Sequence, residues 1–156
     1  MIYEFCAENV TLLEKAMQAG ARRIELCDNL AVGGTTPSYG VIKAAVELAS
    51  NYDTTIMTMI RPRGGDFVYN DLEISIMLED IRLTAQAGSQ GVVFGALTAD
   101  KKLDKANLEK LIAASKGMEI VFHMAFDDLS DQDQLEAIDW LSQAGVTRIL
   151  TRAGVS

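Results

Sequence analysis

Apolar and polar positions follow two patterns along this chain, one typical of strands and one typical of helices, and the two patterns take turns regularly. Short runs rich in apolar and β-branched residues, typical of strands, occupy positions 2–7, 23–28, 54–61, 91–98, 119–127 and 147–153. Between them, apolar residues recur three or four positions apart, as Ile74, Met77 and Ile81 do, which predicts amphipathic helices. The pattern therefore repeats one strand, one helix and two loops about every 29 residues.

Helix ends carry their own signals. Four of the five predicted helices are followed by a glycine suited to a left-handed cap, at positions 20, 88, 117 and 145. Thr36 before Pro37 predicts the start of the second helix, and Ser130 with Asp133 predicts the start of the fifth.

Strands that are apolar on both faces, alternating with helices, predict an α/β fold with a parallel sheet. No G-x-G-x-x-G motif follows an early strand, which favours a TIM-type (β/α) barrel over a dinucleotide-binding sheet. Eight such units would need about 230 residues. We therefore expect a single (β/α)-barrel domain over residues 1–156 with its C-terminal part missing, and exposed strand edges that favour a homo-oligomer.

The composition of the chain argues against two classes of binding partner. Hydrophobic residues make up 49% and charged residues 23% of the chain, and the net charge is −8, which disfavours binding to nucleic acid or to an anionic membrane. Cys6 and Cys27 lie in apolar runs, and no secretory signal precedes them. The expectation is a cytoplasmic protein with reduced thiols.

Charged residues within the strands of a barrel are tolerated mainly where they face its interior near the mouth. Period-two alternation predicts that the following residues share that interior face: Glu4, Cys6, Glu8, Glu25, Cys27, Met57, Met59, Arg61, His123, Asp127 and Thr151. Glu4 and Glu25 would then need Arg61 or a bound cation to offset their charge. Two interpretations remain open: an ion-pair network that fills the barrel, or a site at its C-terminal mouth.

Two predicted loops at that mouth have the composition of an anion site. Arg61 and Arg63 flank a proline and precede a glycine pair, and guanidinium groups suit carboxylate or phosphate. Gly34 and Thr35 lie just before a predicted helix N-terminus, where free N–H groups favour anions. Tight turns alone would also explain the glycines.

These same segments resemble the CutC family, which is named for copper homeostasis. The resemblance is carried by RIELC at 23–27, GGTTPS at 33–38, MIRPRGGDF at 59–67, VFGALT at 93–98 and FH with AFD at 122–127. It implies a cytoplasmic TIM-barrel-like protein, longer than this chain, that is linked to copper. It also implies that Cys6 and Cys27 are ligands for Cu(I).

Two functional hypotheses follow. The first is a copper homeostasis protein that binds Cu(I) through Cys6 and Cys27, since soft thiolates select this ion. The second is a barrel enzyme acting on a small anionic metabolite. In that case Arg61, Arg63, Gly34 and Thr35 would hold the anion, and the proton-transfer groups would be Glu25, His123 and Asp127.

Overall fold

The computed structural model describes residues 1–152 and contains six strands and five α-helices within that range. The strands are β1 (Glu4–Glu8), β2 (Arg23–Cys27), β3 (Thr55–Met59), β4 (Gly91–Phe94), β5 (Glu119–Phe122) and β6 (Arg148–Ile149). The helices are α1 (Leu13–Gln18), α2 (Tyr39–Ala49), α3 (Asp71–Gln86), α4 (Lys105–Ala114) and α5 (Asp131–Ala144).

The six strands form one parallel sheet in the order β1-β2-β3-β4-β5-β6. Each strand pairs with the next in sequence, so every helical crossover proceeds in the same direction. Because such crossovers are right-handed, the helices all cover one face of the sheet. This is the architecture of an incomplete (β/α) barrel, as predicted. No helix within residues 1–152 has both the length and the hydropathy that crossing a bilayer requires.

The two faces of the sheet pack differently. On the helical face, strand residues such as Ile24, Val92 and Phe94 join helix residues in two large apolar clusters. On the opposite face, here called the inner face, lies a smaller cluster made only of strand residues: Cys27, Met57, Met59, Val93 and Val121. The alternation along the strands therefore predicted correctly that Cys27 and the two methionines share the inner face.

Helix ends confirm most of the predictions and correct one. The glycines at positions 20, 88, 117 and 145 all have positive φ, and Ser130 Oγ accepts a hydrogen bond from the Asp133 backbone N–H. Thr36, however, does not cap α2. Ser38 does, accepting from Val41 N–H at 3.2 Å, because the Thr36 hydroxyl accepts instead from the Arg61 backbone N–H at 2.8 Å.

The C-terminal ends of several strands were predicted too long. β5 ends at Phe122, and a 3-10 helix follows over Met124–Asp128. The His123 ring explains the change, because its Nδ1 accepts from the Ala125 backbone N–H at 3.1 Å and starts the turn. β6 covers only Arg148–Ile149, and Ala153 of its predicted range lies outside the described residues.

Candidate functional site

A cluster of three potential metal ligands lies on the inner face across β1 and β2. Cys6 on β1 stands opposite Glu25 on β2, and Cys27 lies two residues further along β2, on the same face. The two sulfurs and a Glu25 oxygen all lie within 4.8 Å of one another, and Cys27 Sγ is 3.8 Å from Glu25 Oε1. Cys6 is exposed, whereas Cys27 and Glu25 are buried.

The surroundings of this cluster shift the pKa values of its three groups in different directions. Hydrogen bonding from the Cys27 thiol lowers the pKa of Cys6. The pKa of Cys27 is raised, because this thiol donates that hydrogen bond and is also buried. Burial, aided by the charge of Glu4, raises the pKa of Glu25 to about 7. Cys6 is therefore the thiol that loses its proton more readily, and it is also the one that an ion in solvent reaches first.

The other acidic residues predicted for the inner face have local partners. Glu4 forms an ion pair with Arg23 at 3.3 Å, and Glu8 accepts a hydrogen bond from the Leu30 backbone N–H at 2.6 Å. Of the two predicted ways to offset Glu4 and Glu25, Arg61 does not serve, because no carboxylate within residues 1–152 pairs with it; a bound cation stays a prediction. Arg23, which stands opposite Glu4 in the pairing of β1 with β2, supplies the cation for Glu4 instead.

Arg61 is buried at the C-terminal end of β3 and bonds to backbone carbonyls of two loops. Its Nη1 donates to Val32 O at 2.6 Å and to Gly34 O at 3.0 Å, and its Nη2 donates to Gly65 O at 2.8 Å. Its Nε is buried without a hydrogen-bond partner. The predicted position of Arg61 at this end of the sheet is thus correct, while most of its donors are used by loop carbonyls.

Gly34 and Thr35 shape the loop after β2. Thr35 exchanges two backbone hydrogen bonds with Asp28 at 2.7 and 2.9 Å. Gly34 packs so closely on Cys27 that a Cβ there would lie 3.0 Å from the sulfur. Because Ser38 begins α2, neither residue directly precedes the helix N-terminus on which their predicted anion role depended.

Arg63 is engaged within its own loop. Its guanidinium pairs with Glu73, and it also donates to Asp66 Oδ1 at 3.1 Å and to Val68 O at 2.8 Å. Hydrogen bonding to Glu73 raises the pKa of Arg63 further. In this arrangement Arg63 fastens the loop between β3 and α3, and its charge is already balanced.

The three predicted proton-transfer residues make separate contacts. Glu25 lies among the thiols, and His123 is buried beside the Phe67 ring at a centroid distance of 4.8 Å. Asp127 lies in the 3-10 helix and accepts from the Arg152 backbone N–H at 2.9 Å. Within residues 1–152 no hydrogen bond joins any two of the three. The prediction that His123 and Asp127 share one strand face is wrong, because β5 ends before either residue.

Thr151, also predicted for the inner face, is exposed beyond β6. Two aromatic residues near Arg61 and His123, Phe67 and Tyr69, were not predicted. Both come from the loop between β3 and α3, where no periodicity marks a buried position, although Phe67 closes the RPRGGDF segment that signalled an unusual loop. Enzymatic turnover of a small anion stays a prediction.

The family model described as the CutC family matches residues 1–156. This chain belongs to the CutC family. A CutC family protein of Enterococcus faecalis is 55% identical over 154 residues, which cover 99% of this chain and 74% of the relative.

Solved structures confirm the fold. A Streptococcus agalactiae CutC protein, named for copper homeostasis, superposes with a TM-score of 0.95 at 49% identity, over 100% of this chain and 74% of its own. A Burkholderia cenocepacia protein named as a phosphonomutase superposes with a TM-score of 0.70 at 18% identity, over 97% of this chain and 64% of its own. The second likeness shows the barrel fold alone.

Proposed function

We propose that this CutC chain binds Cu(I) through Cys6 and Cys27 and acts in copper homeostasis. The observation that carries the proposal is the convergence of two sulfurs and a carboxylate oxygen within 4.8 Å of one another. Copper is the cargo of such a site. A site built on free thiols is maintained in a reducing compartment, so the proposal includes a cytoplasmic location.

The chemistry of the three donors fits this ion. Thiolates are soft ligands that select Cu(I), whereas a carboxylate alone suits harder cations. The lowered pKa of Cys6 favours the thiolate form that binds metal. Exposed Cys6 gives an ion access from solvent, and buried Cys27 lies among Met57, Met59 and other apolar side chains that exclude water.

Competition with a chromophoric Cu(I) chelator under reducing conditions tests the proposal. The wild-type chain should withdraw one Cu(I) per molecule from the chelator, and the C6S/C27S double variant should withdraw none. Glu25→Gln should weaken uptake, since it removes the carboxylate nearest the sulfurs. Glu119→Gln is the matched control, because this acid of β5 shares the inner face with Val121 but lies three strands away from β2 and pairs with Arg148.

Thermal unfolding of each variant distinguishes a lost ligand from a lost fold. The serine substitutions keep nearly the same side-chain size, but the hydroxyl at buried position 27 costs about 1–3 kcal/mol, so the double variant should stay folded and unfold cooperatively at a somewhat lower temperature than the wild type. A folded double variant that still withdraws Cu(I) would contradict the proposal. Equal weakening by Glu25→Gln and Glu119→Gln would remove Glu25 from the site.

A further inference from the structure

A second group of polar side chains lies buried at the C-terminal ends of β3 and β5, apart from the thiols. Arg61, Tyr69 and His123 are only 5%, 7% and 2% exposed. Each has one polar atom without a hydrogen-bond partner among residues 1–152: Arg61 Nε, Tyr69 Oη and His123 Nε2. Burying such groups unpaired costs about 1–3 kcal/mol each, so three in one region call for an explanation.

Phe67 brings these residues together. The Arg61 guanidinium carbon lies 5.1 Å from the centroid of the Phe67 ring, and the His123 ring lies 4.8 Å from it. Tyr69 comes from the same loop, two residues further on. Burial raises the pKa of its hydroxyl to about 12, and the nearby charge of Arg61 partly offsets that shift. Gly95, just beyond the end of the intervening strand β4, leaves room for the His123 ring, since a Cβ there would lie 2.6 Å from His123 Cε1.

All three unpartnered atoms can donate a hydrogen bond. Arg61 Nε always carries a hydrogen. His123 Nδ1 accepts from Ala125 N–H, so the neutral ring carries its proton on Nε2. Burial lowers the pKa of His123 to about 3, and the charge of Arg61 adds to that shift, so the ring is neutral at physiological pH. The Tyr69 hydroxyl can both donate and accept, but neither Arg61 Nε nor the protonated His123 Nε2 can accept from it, so at least two of the three donors lack an acceptor.

Charge points to the same kind of ligand. Arg61 is a buried cation whose hydrogen-bond partners are the neutral carbonyls of Val32, Gly34 and Gly65. No carboxylate within residues 1–152 lies within ion-pair distance of it. A buried charge is ordinarily paired with an opposite one. The guanidinium would also repel a metal cation, whereas an oxyanion satisfies both the donors and the charge.

We propose that Arg61, Tyr69 and His123 form a binding site for a small oxyanion, a carboxylate or a phosphate, beneath the loop between β3 and α3. Residues 60–70 of this loop contain neither helix nor strand, and Phe67 and Tyr69 cover the site from it. The site revises the sequence-based prediction: it keeps Arg61, gives His123 the role of a donor, and replaces Arg63, Gly34 and Thr35 with Tyr69.

Inorganic phosphate and succinate serve as the two probes, with chloride at equal ionic strength as the reference. The chain has a single histidine, so the Cε1 proton of His123 gives one assignable NMR signal. Phosphate, succinate or both should shift this signal saturably and raise the unfolding temperature. The probe that binds more tightly identifies the ligand class.

Tyr69→Phe is the decisive variant, because it removes one hydroxyl without changing the shape of the core. It should weaken binding of the effective probe about tenfold, the usual worth of one hydrogen bond to a charged ligand. Without the probe its unfolding temperature should equal or exceed that of the wild type. Tyr52→Phe is the matched control, since the Tyr52 hydroxyl bonds to Glu14 at the opposite end of the sheet.

Three results would overturn the proposal. One is a His123 signal that neither probe shifts beyond the effect of chloride, which would assign the three donors to buried water. Another is equal binding by Tyr69→Phe and Tyr52→Phe. The third is loss of binding in the C6S/C27S variant with retention in Tyr69→Phe, which would place the anion at the thiol cluster.

Discussion

Burial sets the protonation of single residues on the inner face of the sheet. Burial shifts Glu25 and His123 toward their neutral forms: it raises the pKa of Glu25 to about 7 and lowers the pKa of His123 to about 3. His123 is then neutral at pH 7, and Glu25 is only partly ionised. Arg61 is buried at the C-terminal end of the sheet and carries a full positive charge. This end of the sheet therefore favours an anionic ligand over a cationic one.

Stability should therefore depend on His123 at acid pH. Its pKa is lowered on folding from an ordinary value near 6.5, so the unfolded chain binds one more proton between about pH 6.5 and 3. Stability contributed by the neutral ring is complete above pH 6.5 and is lost as the pH falls toward 3, by at most about 1.4 kcal/mol per pH unit.

Urea unfolding from pH 7.5 to 4.5 measures this slope. His123→Phe, which cannot titrate, should show a shallower loss of stability than the wild type over the same range. The His123 Cε1 proton signal of the folded wild type should stay constant across it. Parallel slopes for the two proteins, or a signal that titrates near pH 6.5, would show that the ring protonates in the folded state.

Gly95 tests the space around the same ring. An alanine Cβ at this position would lie 2.6 Å from His123 Cε1 and 3.1 Å from the Ala125 Cβ, so one of these buried groups must move. We expect Gly95→Ala to destabilise the protein by about 1–3 kcal/mol. At Gly40, in α2, a Cβ would have only Ser38 Oγ nearby, at 4.0 Å, an ordinary contact. Gly40→Ala should therefore stabilise the protein by up to about 1 kcal/mol. Thermal unfolding compares the two variants, and similar effects would argue against crowding at Gly95.

At the scale of elements, the loop between β3 and α3 is fixed to the helix that follows it. Asn70 caps α3 in a capping box with Glu73, and the same Glu73 carboxylate also pairs with Arg63. One acid thus joins the helix cap to the loop that covers Arg61. Arg63 consequently acts on the anion site through the position of the loop.

This shared acid predicts coupling between Arg63 and Asn70. Each single change, Arg63→Gln or Asn70→Ala, should cost about 1 kcal/mol, the ordinary value of a cap. The double variant should lose less than the sum of the two, by about 0.5 kcal/mol or more, because both act through Glu73. Urea unfolding gives the values.

Ser130→Ala provides the control for that cycle. Ser130 caps α5 without contacting Arg63, so its effect should add to that of Arg63→Gln. Additive losses in both pairs would show that Glu73 does not connect the loop to the α3 cap.

The sequence could predict positions on strands, whereas positions on loops could not be predicted from it. Alternation in β2 placed Glu25 and Cys27 on one face, and parallel pairing brought Cys6 beside them, since both depend only on regular backbone geometry. The partners of Arg61 and the role of Tyr69 depend on loop conformations that no periodicity encodes. His123 illustrates the boundary: it was predicted within a strand over 119–127, but β5 ends at Phe122, because the His123 ring accepts a hydrogen bond from Ala125 N–H and the chain turns out of the sheet.

At the scale of the whole molecule, the loop after β2 connects the two proposed sites. Gly34 packs against Cys27 of the thiol cluster, and its carbonyl accepts from Arg61 of the donor cluster at 3.0 Å. Gly33 touches only the second cluster, because a Cβ there would lie 3.2 Å from Arg61 Nη1. Both glycines have positive φ, near +97° and +94°, so alanine strains the backbone equally at the two positions.

Alanine substitutions at these glycines should separate the sites. Gly34→Ala should weaken both Cu(I) uptake and oxyanion binding, whereas Gly33→Ala should weaken oxyanion binding alone. Gly117→Ala has the same positive φ with nothing near its Cβ, so it measures the strain itself, about 1–2 kcal/mol of stability with neither binding affected. Chelator competition measures Cu(I) uptake, and the His123 NMR signal measures oxyanion binding. If Gly34→Ala matches Gly117→Ala in both measurements, the loop does not link the sites. Metal and anion would then bind independently on the two halves of the sheet.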